Sequence, residues 1–198
     1  NKGGWGDRYV ALVDRNGIAT GLSFYRKILT DQEIYVSLKL GNDKIKKMQL
    51  VECHIIRKTH PDWAECDELA FGSKNLFNYA NYQIRQSFIW QGKFISYETL
   101  ASEIKESEPY LSLPSKVAQQ TLRRLDESWR SFFAAIAEWK ENPSKFLGRP
   151  KLPKYKDKEK GRSVVTYTTQ AISRKWLKKG WINPSQTNLF VKVIHADI

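Results

Sequence analysis

The chain has 198 residues, 41% apolar and 27% charged, enough for one large domain or two small ones around a proper core. Its formal charge of +12 and pI near 9.6 point to a polyanionic partner, either nucleic acid or an acidic membrane surface. No apolar run approaches the ~18–20 residues that span a bilayer. No secretory signal opens the chain, and its two cysteines, Cys53 and Cys66, make no disulfide framework, so a reducing cytoplasmic setting is the expectation.

The first third reads as a β-meander. Strands are expected over 8–14, 18–27, 33–40 and 49–58, punctuated by Asn16-Gly17, Asp31-Gln32, Gly41-Asn42-Asp43 and Thr59-His60-Pro61. The period then changes. Asp62, with Glu65 three residues on, has the pattern of a capping box before a helix over 63–90, whose buried face is Leu69, Leu76, Phe77, Ala80, Ile84 and Phe88. Gln91-Gly92 stops it. Ser96 caps a shorter helix to about residue 107, and Glu108-Pro109 breaks that one. A long helix starts at Pro114 or Ser115 and ends near Asn142-Pro143. Beyond it lie an irregular basic segment and short strands over 164–168, 181–182 and 189–194. The order is strands, helices, strands, which predicts an α+β protein with a helical insertion in a β-rich domain. Its divisions are 1–61, 62–142 and 143–198.

Charge is uneven along this order. Residues 142–198 hold 13 Lys and Arg against 3 acids, whereas residues 62–141 hold 9 against 12. A polyanion should meet the last part first, through counterion release. There Lys145, Arg149, Lys151, Lys154, Lys156, Lys158, Lys160 and Arg162 are strung along backbone stiffened by Pro150 and Pro153, with Phe146 and Tyr155 able to stack on a base or sugar. A solvated linker is the plain alternative. The long helix carries two stripes. Ala118, Leu122, Leu125, Trp129, Phe132, Phe133 and Ile136 share an apolar face, and Lys116, Gln120, Arg123, Glu127 and Arg130 form a second, polar row. That row is either an ordinary solvated face with internal ion pairs or a reading edge. Lys116 and Gln120 lie near the helix N-terminus, where phosphate is favoured, and Gln offers both a donor and an acceptor to a base.

Other motifs say less. Cys53, His54, His60 and Cys66 lack the spacing of a zinc knuckle. Asp14 alone does not make a two-metal site. Neither a phosphate-cradling Gly-Lys-Ser/Thr loop nor a Gly-x-Ser-x-Gly elbow is present. No catalytic residue, metal or cofactor is assigned.

From about residue 49 to 198, the stretches ELAFGSKNLFNYANYQIRQSF, SKVAQQTLRRLDESWRSFFAAI, FLGRPKLPKYK and TYTTQAISRKWLKKG resemble the amino-terminal part of TnpB proteins, the OrfB products of bacterial insertion sequences. These are RNA-guided DNA endonucleases related to type V CRISPR effectors. The resemblance implies a β-barrel-like wedge interrupted by a helical recognition (REC-like) insertion, with a guide RNA and target double-stranded DNA as partners. It places readers of the target-adjacent motif on Tyr97, Lys116, Gln120, Thr168 and Thr169. Arg123, Arg130, Lys145, Arg149, Lys151, Lys154, Tyr155, Lys156 and Arg162 would follow the nucleic-acid backbone. The family's RuvC-like nuclease residues have no counterpart here, so this chain alone is expected not to cut. Its nuclease would lie on a separate chain, or the protein would be a nuclease-lacking binder. Residues 1–47 match nothing in the family and stand as an extra β-meander; Met48 falls where family chains begin. The other reading is a guide-independent DNA-binding transposon regulator or repressor.

Overall fold

The computed structural model describes residues 19–26, 33–40 and 53–193. The expected strand at 8–14, Asp14 and the turns at 16–17, 31–32 and 41–43 lie outside these residues. Strands β1 (Ala19–Arg26), β2 (Glu33–Leu40) and β3 (Cys53–Arg57) form, and a long helical section follows. It comprises α1 (Trp63–Gln91), α2 (Tyr97–Ile104), the single turn α3 (Glu108–Leu111) and α4 (Ser115–Glu141). The chain then returns to strand at β4 (Val165–Thr168) and closes with α5 (Arg174–Leu177), β5 (Trp181–Ile182) and β6 (Val191–Lys192). The mixed α and β class is as expected. Among the described residues, no helix is long and apolar enough to cross a membrane.

Sheet topology ties the two ends of the chain together. The order is β3-β2-β1-β4 with every pair antiparallel, and β5 and β6 form a separate two-stranded ribbon. Gly21 stands opposite Thr168 and Leu22 opposite Tyr167. The extra N-terminal strands therefore join the C-terminal part of the chain in one sheet. The helical section leaves from one edge of that sheet and re-enters at the other.

Helices α1 and α4 carry the core. Leu76, Ala80 and Ile84 from α1 meet Val117, Leu122, Leu125 and Trp129 from α4, all at most 1% exposed. Cross-links run in step: Ser73 with Thr121 (2.9 Å), Asn81 with Trp129 (3.0 Å) and Phe88 against Trp129 and Phe133. The two helices are thus parallel, and α2 and α3 lie on the return crossover. Phe88, Phe94, Trp129, Phe132 and Phe133 close this end as an aromatic cluster with centroids 5.2–6.4 Å apart. Such edge-to-face pairs each add about 0.5–1.5 kcal/mol beyond area burial.

The helix ends follow the sequence in part. Gly92 takes φ 65° and its N–H returns to the Phe88 carbonyl at 3.1 Å, a left-handed stop that a side chain would strain. Ser96 caps α2 by accepting the Thr99 N–H at 3.5 Å. Pro109 does not break a helix but sits in the first turn of α3, where its missing N–H costs nothing. The capping box at Asp62 does not form. Asp62 is itself in helical backbone conformation with its N–H on His60 Nδ1, and Glu65 instead accepts the Asn188 N–H at 3.0 Å. A distant loop outcompetes the local cap.

Candidate nucleic-acid interface

The basic segment after α4 is not a free linker. It has almost no secondary structure of its own, so its carbonyls need other partners. Lys74, Asn78, Asn81 and Arg85 recur at steps of four, three and four along α1 and therefore share one face. That face binds the segment antiparallel. Lys74 Nζ donates to the Lys158 carbonyl (2.6 Å) and Asn78 to that of Lys156 (2.8 Å). Asn81 and Arg85 both donate to that of Pro153, at 3.1 and 2.9 Å. The Lys156 N–H returns to Asn78 Oδ1 at 2.8 Å, so this amide pairs with backbone as a strand would. Asn81 Oδ1 also accepts Trp129 Nε1, which joins strap, α1 and α4 at one buried amide. Each such bond is worth about 0.5–1.5 kcal/mol net, and leaving its buried partner unsatisfied costs more.

Lys74 is 1% exposed, with Nζ 3.7 Å from the Phe71 ring centroid. Burial, and then the nearby Arg162 charge, hold its pKa below the ordinary lysine range. Past this point Asp157 accepts the N–H groups of Glu159 and Lys160 in a tight turn, and Gly161 packs so closely that an added Cβ would lie 2.3 Å from the Asp157 carbonyl oxygen. Those N–H groups also hold the Asp157 carboxyl below its usual range. Arg162 then grips Asp67 with two hydrogen bonds of 2.8 and 2.7 Å, and the Ser163 N–H reaches the Ala70 carbonyl, delivering the chain to β4.

With its backbone pinned, the strap divides its cations. Arg162, expected to follow phosphate, has its Nε, Nη1 and Nη2 engaged by Asp67 and by the carbonyls of Glu159 and Gly161. Lys156 is half-buried with Nζ 4.8 Å from the Phe77 ring centroid. Lys145 pairs with Glu138 at 2.8 Å, although its side chain stays 61% exposed. Arg149, Lys151 and Lys154 are exposed, as are Lys158 and Lys160 in the turn. Tyr155 is 45% exposed and stacks under the Arg85 guanidinium, 5.1 Å from its ring centroid.

Arg149, Lys151 and Lys154, with Arg85, rim an open groove of about 480 Å³ between the strap and α1/α4. Its floor is apolar, made by Phe88, Phe132, Pro150 and Leu152. No acid lines it. The sequence reading assigned Phe88 and Phe132 to the core alone and did not single out Lys74, Asn78, Asn81 or Arg85. The polar row on α1 was the available signal.

The outward face of α4 is of mixed sign. Lys116 and Gln120 are half-buried beside the helix N-terminus. Arg123 lies 4.4 Å over the half-buried Tyr97 ring, and Arg130 binds Asp126 at 2.6 Å. Both side chains remain exposed beyond these contacts. Glu127 is exposed on the same row. Glu98 stands near Arg123 and Arg130, its carboxyl held below the usual range by its own backbone N–H and then by the Ser96 hydroxyl. Thr168 ends β4, which packs against α4, and Thr169 begins the turn after it. The Thr168 hydroxyl is buried without a hydrogen-bond partner.

The zinc reading finds no centre. Among the described residues no group of three His, Cys, Asp or Glu is placed to hold a metal. Cys66 is buried in α1, and burial pushes its thiol up to about 12. Comparison of the chain with protein families, curated proteins and solved structures returns no match.

Proposed function

We propose that this chain is the wedge and recognition portion of a TnpB-like, RNA-guided DNA-binding protein. The observation that carries the reading is the strap: a proline-stiffened cationic segment whose backbone is anchored by side chains of α1 while Arg149, Lys151 and Lys154 stay exposed. Anchoring removes much of the ordering cost that a flexible basic tail pays on phosphates. The sheet and the two-stranded ribbon are the parts of a barrel-like wedge, and α1–α4 form the recognition insertion between its strands. Sequence choice then rests on guide pairing, with the protein recognising shape and a short adjacent motif. Lys116 and Gln120 are the motif readers in this scheme, supported by Tyr97, Thr168 and Thr169.

Purification from the native host, with and without nuclease treatment, tests the proposal. A co-purifying RNA of defined length, required for binding a matched duplex, is the expected result. Protein that arrives free of RNA and binds one duplex site unaided would replace the guided reading with a transposon regulator.

A further inference from the structure

Two depressions border the aromatic end of α1 and α4. One, of about 490 Å³ beside Trp90 and Ser96, has both Lys93 and Glu103 in its wall and favours neither sign of charge. The other is the strap groove, with cations on its rim and aromatic carbon below. Its parts are already held before any ligand arrives. Arg85 is fixed by the Pro153 carbonyl and the Tyr155 ring. Phe132 is wedged edge-on among Phe88 and Trp129, and its ring contacts Phe133 at 5.3 Å.

A duplex offers phosphates to such a rim but keeps its bases stacked inside, away from the floor. A single strand offers both phosphates and free base faces. We propose that the strap groove seats an unstacked nucleotide of a single-stranded segment, with phosphates on Arg149, Lys151 and Lys154 and the base against Phe132. The inference rests on the nucleic-acid reading above and deepens it. The site is selective for strand state rather than sequence, because every base has a face to stack.

Fluorescence anisotropy on the nuclease-stripped full chain tests this, using a labelled single strand, the same strand with a block of abasic residues, and the matching duplex. Wild type should bind the intact strand about tenfold more tightly than the abasic one, the scale of one stacked base. Lys151→Glu/Lys154→Glu changes exposed side chains only; it should lose at least tenfold on the intact strand, close the gap to the abasic strand and lower the salt slope by about 1–2. Equal binding of intact and abasic strands by wild type overturns the groove assignment while leaving the proposed function in place. So does a double variant that binds single strands as well as wild type. Failure of wild type to bind any nucleic acid removes both.

Discussion

The strap and the outward face of α4 are both rich in Lys, Arg and polar side chains, yet the fold treats them differently. Helix α4 satisfies its own backbone, so its outer side chains are left to their neighbours: Arg130 turns to Asp126 and Arg123 to Tyr97 of α2. The strap cannot satisfy its own backbone and borrows Lys74, Asn78, Asn81 and Arg85 from α1. Those anchors occupy its carbonyls and leave Arg149, Lys151 and Lys154 exposed around a groove without acids. The strap spends Lys145 and Arg162 on acids but keeps Lys151 and Lys154 exposed together, whereas on α4 Arg130 is paired with an acid. Basic composition is thus a poor guide to which surface keeps its cations exposed.

The largest expected effect comes from cutting the strap's far anchor. Asp67→Ala leaves the Arg162 guanidinium, whose side chain is 16% exposed, without its carboxylate partner. We expect a loss of about 2–3 kcal/mol in urea unfolding, somewhat below the ~3–5 of a fully buried pair. Single-strand affinity should fall with it. Loss of stability with unchanged affinity would break the link drawn here between anchoring and binding.

Lys116→Ala/Gln120→Ala should leave stability within about 0.5 kcal/mol, since both are only half-buried, and should weaken binding to a duplex carrying the adjacent motif by about 1–3 kcal/mol. The same pair should leave single-strand binding nearly intact. Equal losses on both ligands would merge the two surfaces into one site.

The smallest effect is a pH slope. Folding lowers the Lys74 pKa, so the charged form is penalised in the native state. That penalty is fully present below the folded pKa and fades as pH rises toward the ordinary 10.5. Relative to wild type, Lys74→Met should therefore lose most of any advantage on the alkaline side. Unfolding curves of the two proteins across that range check the sign, and parallel curves would show that Lys74 is not strained by burial.

Much of the helical section was legible. The 3.6-residue spacing of Leu76, Ala80, Ile84 and of Leu122, Leu125, Trp129 marked the buried faces, and Gly92 and Asn142-Pro143 marked the ends, because these signals act within a few residues of chain. The Asp62 cap was misjudged because the Asn188 N–H competes for Glu65 across 123 residues. The Arg162–Asp67 pair was not legible because its partners lie 95 residues apart.

The chain's own pattern determined its helices, its strand–helix–strand order and the local excess of positive charge, all consequences of short-range backbone and side-chain preference. Only the tertiary structure decided that β1 pairs with β4, that α1 and α4 run parallel, and which cations remain exposed. The physical reason is that an unpaired carbonyl or guanidinium takes its partner wherever packing brings one, and local spacing carries no record of that meeting.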